Sequence, residues 1–177
     1  MQLSKFDFYS DYVAYPLTIA ALAARALYGA GWLQTAFWGA AFLAGIGIWT
    51  LMEYFLHRIA LHQIAPLVPL HAAHHSAPRA LVGTPTWMSL PLLAVGIFLP
   101  AWRIGGFATA SGLTSGVMLG YLWYGFVHHL LHHTQSGGAP RYFEPLRTWH
   151  MRHHYSPRKG NYGVTTSLWD RIFRTAI

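Results

Sequence analysis

All twelve histidines of this 177-residue chain fall in four short clusters. His57 and His62 stand in "LHRIALH", and His71, His74 and His75 in "LHAAHH". His128, His129, His132 and His133 make "HHLLHH", and His150, His153 and His154 make "HMRHH". Neutral imidazole is the common nitrogen ligand of Zn, Fe, Cu and Ni. Residues three and four apart share a helix face. That spacing holds for His71, His74 and His75 and again for His150, His153 and His154. His128 and His132 form an i, i+4 pair; His129 and His133 form another, about 100° further round the helix. His57 and His62 are five apart, which suits a helix that ends or loosens near Leu61. One doublet would signify little, but four groups together point to a polynuclear metal site.

The supply of ligands narrows that site. A zinc ion takes about four ligands, so ten to twelve imidazoles suit two ions of five- or six-fold coordination. Carboxylate-bridged di-metal sites in helical bundles draw on several Glu residues. This chain has five carboxylates in all: Asp7, Asp11, Glu53, Glu144 and Asp170. A carboxylate-rich centre is excluded by supply. Glu53, four before His57, and Asp170 are expected as acceptors that orient imidazole N–H groups from behind the ligands. With no Cys, thiolate sites and disulfides are excluded.

The elements that must carry these clusters are apolar. The chain is 54% hydrophobic and 10% charged, against about 25% charged in an ordinary soluble domain. Four apolar stretches, at about residues 12–30, 32–56, 87–102 and 107–127, predict an all-α integral membrane protein with four transmembrane helices in two hairpins. Trp32, Trp87 and Trp102 lie at stretch ends, where aromatic belts form. The acidic start before the first stretch does not read as a signal peptide. Residues 57–86 and 128–177 are expected to form a histidine-rich helical cap, and 1–177 a single domain. No internal repeat or low-complexity linker stands out.

The formal net charge of +7 fits a membrane surface, and no nucleic-acid partner is expected. The short connections "GAGW" and "RIGGF" carry at most one charge, whereas the tail carries Arg141, Arg147, Arg152, Arg158, Lys159, Arg171 and Arg174. Positive residues favour the cytoplasmic side. Two crossings separate the first histidine groups from the last, so all four are expected on the cytoplasmic face. Arg79, Arg147 and Arg158 are read first as anchors of that orientation.

At this point the motifs resemble a family. "EYFLHRIALH", "PLHAAHHSAPRALVGTP", "GYLWYGFVHHLLHH" and "WHMRHHYSPRKGNYGVTTSLWDRIFRT" resemble, in order and spacing, the fatty acid hydroxylase/sterol desaturase superfamily of integral-membrane di-iron enzymes. They are most similar to the catalytic domain of sphingolipid fatty acid 2-hydroxylases, over about residues 53–175. The resemblance implies a membrane-bound di-iron oxygenase that hydroxylates a lipid acyl chain, at carbon 2 of a fatty acyl or sphingolipid-like substrate. It implies two iron ions, with zinc able to replace them in a purified sample, and molecular oxygen as co-substrate. It also implies ten ligands: His57, His62, His71, His74, His75, His128, His132, His150, His153 and His154. His129 and His133 are then left behind the ligands, with Glu53 and Asp170.

Two departures accompany the likeness. Gly125 stands where the 2-hydroxylases usually carry Asp, and the link "QIAPLVPL" is shorter than theirs. No cytochrome b5-like segment precedes the first apolar stretch, so electrons are expected from a separate carrier of ferredoxin or cytochrome b5 type. Within the superfamily, a sterol desaturase, C-4 oxidase or carotenoid hydroxylase is the alternative. Outside it, a membrane metal-binding or transport protein would bury its ionisable groups near the midplane, whereas these histidines gather at span ends.

Overall fold

A computed structural model describes residues 2–135, 137–138 and 140–177; Ser136 and Ala139, in the expected cap, lie outside the described residues. The chain is helical, and among the described residues no strand forms beyond an isolated bridge between Gln2 and Val82. The helices are α1 (Lys5–Leu27), α2 (Trp32–Phe55), α3 (Val68–Ser76), α4 (Thr86–Leu93), α5 (Leu99–His133), α6 (Glu144–Tyr155) and α7 (Leu168–Ile172). Two π-helical turns, Leu56–Leu61 and Ala94–Phe98, extend α2 and join α4 to α5. The chain divides into two compact units, Leu3–Trp49 with Thr84–Leu122, and Met1–Gln2 with Thr50–Gly83 and Trp123–Ile177.

The first unit is the apolar one. Ser4 caps α1 by accepting from the Asp7 N–H, and Asp7 complements the positive helix end. The stretch Trp32–Leu61 and the stretch Thr86–His133 are each long and apolar enough to cross a membrane. Only 11% and 6% of their most apolar windows are buried, so neither is the core helix of a soluble protein. Phe37, Leu43, Leu92 and Val95 point outward with more than half their surface exposed. Length and composition thus single out two runs where the sequence predicts four spans. One reason is that α1 carries Lys5, Asp7, Asp11 and Arg25. The other is that the third and fourth expected spans fall in one 48-residue run. Gly106 interrupts that run at φ 76, ψ 173, a conformation open to glycine but strained for other residues.

Glycine also sets the close approach of α2 to α5. A Cβ on Gly116 would collide with the Phe42 carbonyl, one on Gly112 with that of Trp38, and one on Gly45 with that of Leu113. Small residues that bring two backbones together are the usual means of packing helices in lipid. Asp11 is buried in this unit and accepts from Thr86 and Tyr121 hydroxyls.

The second unit holds every histidine. Its small core is Val127, Leu131 and Val164, flanked by Tyr124, Phe143 and Leu146. Pro69 and Pro145 start α3 and α6, where a missing N–H costs nothing. After α6, Ser156 turns extended ahead of Pro157, and the chain runs through residues 156–167 to α7. Asn161 sits in that run at φ 56, a conformation Asn tolerates better than most residues. Its side chain accepts from the Ile177 N–H, and its own N–H donates to the Thr175 carbonyl. This run, called the strap below, is tied to α7 by Asp170, which accepts from the Tyr162 and Gly163 N–H groups.

Candidate metal centre

Ten imidazoles converge in two groups of five. His57, His62, His71, His75 and His153 form one, and His74, His128, His132, His150 and His154 the other. Within each group the candidate nitrogens lie within 4.8 Å of one another. Among the described residues both groups are purely histidine. They are called below the His57 cluster and the His128 cluster. They adjoin: the rings of His75 and His154, one from each, stack at 4.1 Å.

Local structure explains who goes where. In a π-helix the hydrogen bond runs from i to i+5, so residues five apart share a face. The π-turn Leu56–Leu61 stacks His57 on His62 at 5.3 Å. On α3 the i, i+4 pair His71 and His75 joins the His57 cluster, while His74 turns to the other. On α6 the pair His150 and His154 joins the His128 cluster, and His153 crosses to the first. Each triplet therefore serves both clusters. His128 and His132, one turn apart on α5, both enter the His128 cluster. His129 and His133 stack on each other at 4.0 Å outside both groups.

The arrangement fits a cation better than it fits hydrogen bonding. The His57 Nδ1 donates to the Tyr162 carbonyl at 2.6 Å, and the His153 Nδ1 to the Gly160 carbonyl at 2.9 Å. A neutral imidazole has one N–H, so the Nε2 of each then carries only a lone pair. Yet His57 Nε2 lies 3.0 Å from His71 Nε2, and His153 Nε2 lies 3.2 Å from both His62 Nε2 and His75 Nε2. In the His128 cluster, His132 Nε2 is met by His128 Nε2 at 3.2 Å and by His150 Nε2 at 2.8 Å. His74 and His154 have both ring nitrogens buried without a hydrogen-bond partner. Orphaned buried polar atoms are costly, and lone pairs aimed at one point repel. A soft-to-borderline divalent metal at each point removes both costs.

Electrostatics keeps the imidazoles in the ligating form. Burial, reinforced by neighbouring histidines, lowers His62 and His74 to about 4. Burial likewise lowers His153 to about 3, against the opposing pull of the Gly160 carbonyl. His150 and His154 are also held down, by burial first and by other histidines next.

The two carboxylates act one step further out than expected. Glu53 accepts from the Val164 N–H at 2.7 Å and from the Thr165 N–H and hydroxyl. Asp170 accepts from the Tyr162 and Gly163 N–H groups, both at 2.8 Å, and from Trp149 and Thr175. They hold the strap, and the strap's carbonyls orient His57 and His153. Sequence reading missed Gly160 and Tyr162 because their contribution is a backbone carbonyl, which every residue has. The Gly160–Asn161 dipeptide, a turn-favouring pair, was the available signal.

A helical chain with long apolar helices and two five-histidine clusters defines a class of membrane protein suited to holding two metal ions. Residues 42–175 match the family model described as fatty acid hydroxylase, and the chain belongs to that family. It is 34% identical over 146 residues to the ceramide very long chain fatty acid hydroxylase scs7 of Schizosaccharomyces pombe, covering 76% of this chain and 41% of that protein. It is 33% identical to the dihydroceramide fatty acyl 2-hydroxylase FAH2 of Arabidopsis thaliana, covering 74% of this chain and 58% of that one. It is 34% identical to the fatty acid 2-hydroxylase of Homo sapiens, covering 76% and 38%. The chain thus spans well under two thirds of these relatives. A solved structure described as full-length scs7p with only the hydroxylase domain visible superposes with a TM-score of 0.79 at 26% identity, covering 96% of this chain and 66% of that one.

Proposed function

We propose that this protein is a membrane-bound di-iron oxygenase that hydroxylates a lipid acyl chain, with carbon 2 of a fatty acyl or ceramide-like substrate as the site. The observation that carries the reading is the pair of all-histidine clusters in a chain whose relatives are named fatty acid and ceramide hydroxylases. The ten converging histidines are the proposed ligands, five to each ion. Bound iron would supply the activation of molecular oxygen, which an unactivated C–H bond requires. The overall change consumes one oxygen molecule, two electrons and two protons, and yields the alcohol and one water. The electrons come from a separate ferredoxin- or cytochrome b5-type carrier.

The chain's own residues supply the cage. Tyr162 and Gly160 carbonyls fix His57 and His153 with Nε2 turned inward. Asp170 fixes the amides on either side of the Tyr162 carbonyl, Glu53 fixes the next two amides, and the Asn161 N–H on the Thr175 carbonyl steadies the Gly160 peptide. The outward apolar side chains of α2 and α4 suit hydrocarbon, and the substrate's acyl chain would lie in the same medium. The proposed topology has four crossings in two hairpins, with both termini and all histidines on the cytoplasmic side. The tail's positive charge supports it. Reporter fusions after Gly31 and after Gly137 are expected on opposite sides.

The test of the activity uses purified protein with iron, an electron-transfer system, a lipid mixture and oxygen-18 gas. A 2-hydroxy acyl product labelled from the gas is expected. Label arriving from water would overturn the proposal. A desaturated or ring-oxidised product would favour the sterol- or carotenoid-type alternatives.

A further inference from the structure

The two clusters are built alike at their centres and differently behind them. In the His57 cluster, the Nδ1 atoms of His57 and His153 each donate to a strap carbonyl. In the His128 cluster, the Nδ1 atoms of His74, His150 and His154 are all buried, and none has a hydrogen-bond partner. A carbonyl on Nδ1–H fixes the tautomer that presents Nε2, holds the ring plane, and makes Nε2 a better donor. Two anchored rings stand against three whose Nδ1 is buried without a partner.

The anchors are themselves anchored. Tyr162, whose carbonyl holds His57, has its N–H on Asp170, and Gly163 beside it does the same. Val164 and Thr165 are fixed by Glu53. Both carboxylates are almost wholly buried. The strap is therefore pinned at four consecutive amides, and among the described residues its carbonyls meet imidazoles of the His57 cluster alone. One basic side chain bears on each cluster, Lys159 on His62 and Arg147 on His132.

From this difference we infer that the two clusters hold metal unequally. The His57 cluster is the tight site, filled first and emptied last. The His128 cluster is the weaker, exchanging site, and its occupancy sets how much of the protein carries both ions. The inference rests on the two-metal reading above. Loss of groups behind a ligand typically costs 10–100-fold in metal affinity. A difference of at least about tenfold between the sites is therefore expected. The second ion also enters against the charge of the first, which widens the gap in the same direction.

Metal release and histidine labelling test it. The purified metal-loaded protein is mixed with excess chelator, and free metal is followed over time. Two phases of equal amplitude are expected, with rates at least about tenfold apart. His128→Ala should abolish the fast phase and keep the slow one; His62→Ala should do the reverse. A second measurement, independent of how either variant folds, uses the unaltered chain. Metal-stripped protein carrying nitrogen-15-labelled histidine receives one equivalent of cobalt(II), and the hyperfine-shifted ring resonances are read by NMR. The His62 resonances are expected to shift before those of His154. Two ions leaving at one rate, or His154 shifting before His62, would overturn the inference while leaving the two-metal reading intact. A chain that binds no metal at all would overturn that reading instead.

Discussion

Asp170→Asn removes one oxygen acceptor from a buried carboxylate that serves four donors. Oδ1 accepts from the Tyr162 N–H and the Thr175 hydroxyl, and Oδ2 from the Gly163 N–H and the Trp149 indole. The asparagine side chain keeps the shape but places an NH2 where one oxygen was. The Thr175 hydroxyl can turn and accept, so the amide settles with its NH2 in the Oδ1 position. The Tyr162 N–H is then left facing a donor. A stranded buried donor costs about 1–3 kcal/mol, and the surviving bonds lose their charge assistance. The total is about 2–4 kcal/mol. For a chain of this size that lowers the thermal midpoint by about 5–15 °C.

The second consequence reaches the metal. With the Tyr162 N–H repelled, only the Gly163 N–H still ties the Tyr162 carbonyl to residue 170; that carbonyl holds His57 less firmly, and metal affinity is expected to fall by up to about 10–100-fold at that cluster. The midpoint is measured on metal-stripped protein in detergent, because bound metal stabilises the folded state on its own account. Affinity is measured separately by competition with a chelator. A variant with the parent's midpoint would refute the hydrogen-bond reasoning. A variant with a lowered midpoint and unchanged affinity would show that the strap supports the fold and does not orient the histidine.

Three further outcomes are expected. His128→Ala and His132→Ala should each lose metal from one site, whereas His129→Ala and His133→Ala, outside both groups, should retain two metals per chain by elemental analysis; the opposite pattern would move the helix phase by one residue. Metal-stripped protein should lose stability as pH falls below about 6.5, where unfolded histidines take up protons. His62, His74 and His153 resist protonation down to about 4, 4 and 3 in the folded chain, so the loss continues towards those values; a midpoint constant between pH 7.5 and 5 would contradict their burial. Gly116→Ala should destabilise by about 1–3 kcal/mol, since its Cβ meets the Phe42 carbonyl. Gly39→Ala, which meets open space, should leave the thermal midpoint unchanged or raise it.

Much of the site was legible because its chemistry is written in side chains at helical spacing. The i, i+4 rule sorts these four histidines into His128 with His132 and His129 with His133 without choosing between the pairs; the resemblance points to the first, and among the described residues the structure puts only that pair among converging nitrogens. The rule could not divide the triplets. His71, His74 and His75 share one face by spacing, yet the arc they cover is wide enough to address two points, and His74 turns away from its neighbours. Which point each ring addresses depends on the position of α6 and α5, and no local pattern encodes that. The pair His57 and His62 needed a π-turn to align, and an apolar run such as "LHRIAL" looks the same whether it winds as α or π. The membrane character was legible from composition. Glycine contacts such as Gly116 on Phe42 were not, because they depend on the crossing of α2 and α5.

The scarcity of carboxylates has a physical logic once the strap is in view. A carboxylate among the ligands would neutralise part of each ion's charge. Neutral imidazoles leave that charge whole, and it must be balanced by dipoles or by what the ions bind. The Gly160 and Tyr162 carbonyls direct their negative ends at His153 and His57 and pass electron density to the inward nitrogens. Glu53 and Asp170 are positioned to hold these dipoles still, with their own charge spent on amides of residues 162–165. Negative charge thus reaches the His57 cluster through a hydrogen-bonded relay and not by direct ligation. An ion held by that cluster would keep most of its positive charge and still be firmly bound, because the relay fixes the ligands without joining them.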